Sequence, residues 1–185
     1  MAIGLADSGE GGIPSFQVTN STQSTISATI TVTPSYENNG IICDGNAETF
    51  TITVNPSPEM DNVDDVVLCN NEISSIIEFT TPNTDGNTTY TWTNDNTSIG
   101  LSSTGNGDIP SFTALNLSPI TEVATITVTP TYENNGVVCI GDPQTFSISV
   151  LSEIEITGTT VDALDCNDPN SGNINITVTG GSGVY

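Results

Sequence analysis

The chain has 185 residues and a formal charge of −22, because it carries 22 Asp and Glu residues and no Lys, Arg or His. Binding to nucleic-acid phosphates or to anionic membrane surfaces depends on Lys and Arg, so neither nucleic acid nor a membrane is expected as a partner. Without His or Lys, no Ser-His or Cys-His couple can exist, and general acid–base chemistry is left to carboxylates. We therefore predict that the protein is not an enzyme.

Alternation of apolar residues with Thr predicts β-strands along most of the chain and no helix of useful length. The pattern begins at 28–33 and 49–54, where Ala, Ile, Val and Phe share one face and Thr covers the other. Further predicted strands follow in chain order at 74–81, 88–93, 124–129, 145–150 and 173–179. The predicted fold class is therefore all-β, and no apolar run is long enough to insert into a membrane.

An internal repeat dominates the chain, since residues 29–40 read TITVTPSYENNG and residues 125–136 read TITVTPTYENNG. The match runs without a gap from 3–55 to 99–151, an offset of 96 residues, and about 29 of the 53 aligned positions are identical. The segment of the first copy that would match 58–98 falls before Met1. We therefore expect an excerpt from a longer repetitive protein.

The repeat predicts three domains. Residues 1–56 form the C-terminal part of one module, 57–152 form a complete module, and 153–185 form the N-terminal part of a different repeat. The complete module has the length and strand number of an immunoglobulin-like β-sandwich, about 100 residues and seven strands. Pro56 and Pro58 predict a stiff, extended linker. The expected architecture is therefore a set of tandem β-sandwich modules in an extended array.

Several motifs resemble a known family of repeats. In the complete module they are Ile99-Gly100-Leu101, Ile109-Pro110-Ser111-Phe112, ATITVTP at 124–130, and Cys139-Ile140-Gly141 followed by Thr145-Phe146. These resemble the PKD-like repeats of large surface proteins of Bacteroidota. The loop around Cys166, the strand that follows it, Gly180-Gly181 and Tyr185 resemble the start of an SprB repeat. Both repeat types occur in SprB-like gliding-motility adhesins.

The resemblance implies a structural stalk segment of a large cell-surface adhesin involved in adhesion and gliding motility. It implies an extracellular, cell-surface location after export by the type IX secretion system, whose machinery would be a partner during export. Neighbouring modules of the same polypeptide are further expected partners, and surface polysaccharide is another candidate. Two alternative functions stay open: a carbohydrate-binding module, and a self-associating filament subunit in which half modules complete each other by strand donation.

Four cysteines suggest disulfides in an exported β-rich protein. We favour a Cys69–Cys139 bond, because it is the one pairing that lies inside the complete module. Closing this loop of about 70 residues would contribute about 4 kcal/mol on the loop-entropy model. The partners of Cys43 and Cys166 stay open, and reduced buried thiols are the alternative.

Four acidic residues cluster where the complete module begins: Glu59, Asp61, Asp64 and Asp65. Calcium takes several oxygen ligands, so a calcium ion bound here would stiffen the junction between modules. The alternative is a set of solvated turn residues. Apart from calcium, no cofactor is expected.

Four aromatic residues bear on the carbohydrate-binding alternative. Trp92 is the single Trp of the chain, and it shares a predicted strand face with Tyr90. Such residues are more often part of a sandwich core than of an exposed sugar-binding platform, so we predict a core position. Tyr36 and Tyr132 are equivalent in the repeat, and each is predicted to pack against the base of its hairpin.

Overall fold

The structure is a computed structural model that describes residues 3–161, 167 and 172–180. The described residues form an all-β fold with twelve strands, one 3₁₀ turn at Thr97–Ile99 and no α-helix. The strands in chain order are β1 (Ile26–Val32), β2 (Ser35–Asn38), β3 (Ile41–Asp44), β4 (Glu48–Val54), β5 (Val66–Cys69), β6 (Asn87–Asn94), β7 (Thr104–Asn106), β8 (Glu122–Asn134), β9 (Val137–Ile140), β10 (Gln144–Leu151), β11 (Glu155–Val161) and β12 (Ile174–Thr179).

Four sheets connect these strands within the described ranges. The largest has the order β5-β10-β8-β6-β7, and β9 pairs with β8 beside this path. Three two-stranded sheets pair β1 with β4, β2 with β3, and β11 with β12. The β5–β10 pairing is parallel, whereas β10 pairs with β8 antiparallel. The all-β prediction is therefore confirmed.

The chain divides into two compact units. The first comprises Met1–Met60, Thr80–Thr89 and Pro130–Asp142. The second comprises Asp61–Phe79, Tyr90–Thr129 and Pro143–Tyr185.

The strand registers reproduce the sequence repeat. In the first copy β1 and β4 pair Ile26 with Val54, and in the second copy β8 and β10 pair Glu122 with Val150. Each residue of one pair lies 96 positions from its counterpart in the other. The hairpins match in the same way, since Ser35 pairs with Asp44 and Thr131 pairs with Ile140. The two copies therefore have the same strand pairing as well as similar sequences.

Side-chain hydrogen bonds repeat with the same offset. Asn20 Nδ2 donates to the carbonyl oxygen of Val54 at 3.0 Å, and Asn116 Nδ2 donates to that of Val150 at 2.8 Å. Each amide also donates to the carbonyl four residues further on. In each copy the Asn side chain therefore holds two backbone carbonyls, one at the end of a strand and one just before a strand. The repeat therefore preserves capping residues as well as core residues.

The core of the second copy is formed by the residues that the alternation predicted to be buried. Ala124, Ile126 and Val128 of β8 are fully buried, as are Ile148 and Val150 of β10. Fully burying an Ile or Val side chain contributes about 1.5–3 kcal/mol relative to leaving it exposed. A slip of one residue in either strand would place Thr and Ser in the core instead, so burial fixes the register.

The prediction of a strand at 74–81 is wrong, because this segment does not form a regular strand. Its region makes two isolated bridges, Ile73 with Thr113 and Ile77 with Ile109. Between these bridges the facing segment contains Pro110, which has no backbone N–H to donate to a ladder. The backbone therefore pairs at two points without forming a continuous strand.

Candidate functional site

The linker between the two copies is packed within the first unit rather than exposed. Pro56 is fully buried, and Pro58 and Met60 are also buried. The backbone of Gly141 approaches Pro58 so closely that a Cβ at Gly141 would overlap the Pro58 carbonyl oxygen. Because only glycine allows this approach, the chain just after β9 lies directly against the linker.

Asn83 is the central hydrogen-bonding residue of this packed linker. Its Nδ2 donates to the carbonyl oxygen of Ser57 at 3.0 Å and to Oε1 of Gln23 at 3.1 Å. Its Oδ1 accepts from the backbone N–H of Glu59 at 2.7 Å. Thr81 Oγ1 adds a 2.7 Å bond to the Glu59 carbonyl. One amide side chain therefore binds both the linker backbone and Gln23 of the first copy.

Gln23 completes the connection from the first copy. Its Nε2 donates to Oε2 of Glu59 at 2.8 Å, and its carbonyl accepts from the N–H of Thr84 at 2.8 Å. Backbone and side chain of one residue thus contact both the linker and the 80–89 loop. We call Gln23, Glu59, Asn83 and Thr84, together with Thr25, Tyr132 and Asn134, the linker corner.

Tyr132 anchors the other side of the linker corner. Its side chain is 0% exposed, and its hydroxyl donates to the carbonyl oxygen of Thr84 at 2.7 Å. The same hydroxyl lies 3.4 Å from Oγ1 of Thr25, which also accepts from Asn134 Nδ2 at 2.9 Å. The ring packs on Gly86, where any Cβ would overlap the ring. Tyr132 is therefore buried, but the contacts described are with Gly86, Thr84 and Thr25 rather than with the base of its hairpin, and its equivalent Tyr36 is exposed.

The linker corner is built from neutral amides and hydroxyls apart from the carboxylate of Glu59. Such groups bind one another through short hydrogen bonds and fix backbone positions. Part of the corner is shielded from water, as the buried Tyr132 shows, and hydrogen bonds are stronger in such surroundings. The arrangement therefore serves to hold chain segments together.

The structure does not bring the four predicted calcium ligands together. Glu59 accepts from Gln23, and Asp65 Oδ1 accepts from the N–H of Ser147 at 2.7 Å. This backbone hydrogen bond lowers the pKa of Asp65 from its ordinary value, because it stabilises the charged carboxylate. Asp61 and Asp64 are exposed. In the described part of the chain, no group of three or more His, Cys, Asp or Glu residues is placed to hold a metal ion.

The structure also does not join Cys69 to Cys139. Both carry free thiols, and so does Cys43. Cys69 lies opposite Leu151 at the end of the β5–β10 ladder, whereas Cys139 lies opposite Tyr132 in the β8–β9 hairpin. The alternative of buried thiols also fails for these three, since none of them is buried. Cys166 lies outside the described residues.

Trp92 occupies the core position predicted for it. The indole is 4% exposed, and its Nε1 finds no hydrogen-bond partner among residues 3–161, 167 and 172–180. A sugar ring stacks only on an aromatic face that it can reach, so Trp92 offers no platform in this structure.

Comparison with protein-family models, with curated proteins and with solved structures finds no match to this chain. Among the described residues, no helix has the length and apolar character needed to cross a membrane.

The sequence indicated the linker and the equivalence of Tyr36 and Tyr132, but it did not indicate Gln23 and Asn83. The repeat gives no signal for Gln23, because the equivalent position is Pro119, which has no side-chain amide.

Proposed function

We propose that the chain is a stalk segment of a large extracellular adhesin, built from tandem immunoglobulin-like modules of the PKD-like type. The linker corner carries this proposal. A stalk transmits position and force along the chain, and it needs junctions that resist bending. Asn83 and Tyr132 meet this need, because each hydrogen-bonds to a residue of the first copy and to the linker or the 80–89 loop.

The charge supports the same function. With 22 acidic residues and no basic side chain, like charges repel along the whole chain and between neighbouring chains. Repulsion opposes collapse of an extended array and keeps adjacent filaments apart. At physiological salt this repulsion acts over about 8 Å, which is the scale of neighbouring surface groups.

Display at the cell surface, export by the type IX system and a role in gliding adhesion form part of this proposal. They are supported by the resemblance of the repeat motifs to SprB-like adhesins. The stalk carries a distal adhesive region, and its partners are the neighbouring modules of the same polypeptide. The buried position of Trp92 argues against the carbohydrate-binding alternative, which needs an exposed aromatic platform.

Glycan-array binding by the full chain tests this proposal. A stalk segment gives no saturable signal on any polysaccharide, whereas a carbohydrate-binding module gives selective signal on a related group of glycans. A Trp92→Phe variant serves as the matched control, because it keeps a ring in the core while changing the residue a platform would use. Selective binding that this variant abolishes would overturn the stalk proposal.

A further inference from the structure

The chain contains three Asn-Gly pairs, and the fold holds them differently. They are Asn39-Gly40, Asn106-Gly107 and Asn135-Gly136. In such a pair the backbone nitrogen of the Gly can attack the side-chain amide of the Asn, because Gly has no Cβ to obstruct the approach. The attack releases ammonia and turns the Asn into an acidic residue. The surroundings of each Gly nitrogen therefore decide which Asn is modified.

Two of the pairs form the two-residue turns of equivalent hairpins. Asn39-Gly40 joins β2 to β3, and Asn135-Gly136 joins β8 to β9. In both turns the Asn has a φ of 50° and the Gly a φ of 76°, and a type I′ turn needs positive φ at both positions. All four residues are exposed, and nothing beyond the chain neighbours lies within 4 Å of the Cβ position of either Gly. Each Asn side chain therefore has room to turn towards the next backbone nitrogen.

Hydrogen bonding of the Gly nitrogen separates the third pair from these two. The N–H of Gly107 donates to the carbonyl oxygen of Tyr90 at 2.9 Å, and Asn106 is held in the β6–β7 ladder. In the described part of the chain, the N–H of Gly40 and that of Gly136 donate no hydrogen bond. A bonded N–H must first open before its nitrogen can react. The two hairpin turns are therefore reactive, whereas the third pair is shielded.

We propose that Asn39 and Asn135 are sites of spontaneous deamidation, and that the fold protects Asn106 from the same reaction. In the second hairpin the Gly136 nitrogen attacks Cγ of Asn135, and the new C–N bond closes a five-membered succinimide ring. The side-chain nitrogen leaves as ammonia, taking the proton of the Gly136 N–H. Water then opens the ring at either carbonyl and gives Asp or isoaspartate. The net change is the gain of one water and the loss of one ammonia, and it does not depend on the stalk function.

The conversion changes both the charge and the backbone of the turn. At Asn135 it adds a carboxylate two residues from the exposed Glu133, in a chain that has no basic side chain, so like-charge repulsion rises. Isoaspartate also adds one carbon to the backbone of a turn whose two-residue length sets the strand register. The neighbouring Asn134 donates to Thr25 Oγ1 in the linker corner at 2.9 Å. Modification at Asn135 therefore loosens that corner.

The test follows the full chain during incubation at about 37 °C in mildly alkaline buffer, which favours reactions of thermolabile Asn residues. Mass spectrometry counts the conversions, since each one raises the mass by about 1 Da. Digestion with a protease that cleaves after Glu, followed by tandem mass spectrometry, assigns them to residues. We expect Asn39 and Asn135 to convert at least about tenfold faster than Asn106, whose Gly is hydrogen-bonded. Asn134, which is followed by Asn in the same hairpin, is the control for local exposure.

The same incubation in about 6 M guanidinium chloride separates the effect of the fold from that of the local sequence. In the unfolded chain the three Asn-Gly pairs should convert at rates within about threefold of one another. Conversion of Asn106 as fast as Asn135 in the folded chain would overturn the proposal. So would conversion of Asn135 no faster than that of Asn134, or an Asn106 that stays slow in the denaturant.

A matched variant tests the effect on the linker corner. Asn135→Asp adds the same charge without lengthening the backbone. Hydrogen exchange of the β9 amides, and of the Thr84 N–H that donates to Gln23, should be faster in the incubated chain than in freshly prepared Asn135→Asp. Equal exchange in the two samples would overturn the inferred effect of isoaspartate on the corner.

Discussion

Tyr132→Phe is the most informative single change in the linker corner. It removes one oxygen and keeps the buried ring, so packing on Gly86 is preserved. The lost hydroxyl donates to the Thr84 carbonyl at 2.7 Å and lies 3.4 Å from Thr25 Oγ1. A net intramolecular hydrogen bond contributes about 0.5–1.5 kcal/mol. Thr84 is exposed, so water can replace the lost donor, and we expect a loss of about 1 kcal/mol.

The repeat supplies a matched control for this change. Tyr36→Phe makes the same substitution at the equivalent position of the first copy, where the side chain is exposed. An exposed substitution of this kind changes the free energy of unfolding by less than about 0.5 kcal/mol. The two variants therefore differ only in whether the hydroxyl is buried and bonded.

The free energy of unfolding of both variants is measured by urea titration with circular dichroism, and their Tm by thermal unfolding. For a chain of this size, a loss of about 1 kcal/mol lowers Tm by about 2–4 °C. Two compact units can unfold in separate steps, so the affected transition is assigned before free energies are compared. Equal effects of Tyr132→Phe and Tyr36→Phe, or no effect of either, would refute the role given to the Tyr132 hydroxyl.

Three further predictions concern the linker and its acidic residues. Asn83→Ala removes the acceptor for the Glu59 N–H, so hydrogen exchange of that amide accelerates by at least about tenfold, whereas Asn62→Ala, an exposed control, leaves it unchanged. The pKa of Asp65 is lowered in the folded state, so its stabilising contribution is present above its ordinary pKa of 3.8 and is lost as pH falls through the folded value. Urea midpoints measured between about pH 3 and pH 6 should therefore fall less steeply with acid in Asp65→Asn than in Asp64→Asn; parallel curves would contradict this. Millimolar calcium and EDTA, compared at matched ionic strength, should leave Tm unchanged, and a rise with calcium would restore the metal-site prediction.

Strand positions were predictable because the signal for them is local. Alternation at 28–33, 49–54, 124–129 and 145–150 corresponds to β1, β4, β8 and β10. Burial of one face requires a period of two, and any sequence window that contains a strand displays it. The prediction of a strand at 74–81 failed because Pro110, on the facing segment, interrupts the hydrogen-bond ladder. That information lies outside the window.

The positions of the predicted calcium ligands could not be read from the sequence for the same reason. Glu59 and Asp65 are six residues apart in sequence, yet one carboxylate accepts from Gln23 and the other from Ser147. Proximity along the chain suggested a shared ion, but the path of the backbone directs the two side chains to different donors. Long-range hydrogen bonds depend on how loops are brought together, which residue spacing does not encode.

The sequence by itself determined the charge, the strand periodicity and the duplication, because each is a property of residue types and their order. The tertiary structure decided what the duplicated residues do. Tyr36 and Tyr132 lie in nearly identical sequences and identical hairpin registers, yet Tyr132 is buried and hydrogen-bonded while Tyr36 is exposed. The difference arises because residues 84–86 cover Tyr132, and burial depends on neighbours in space rather than on the local sequence.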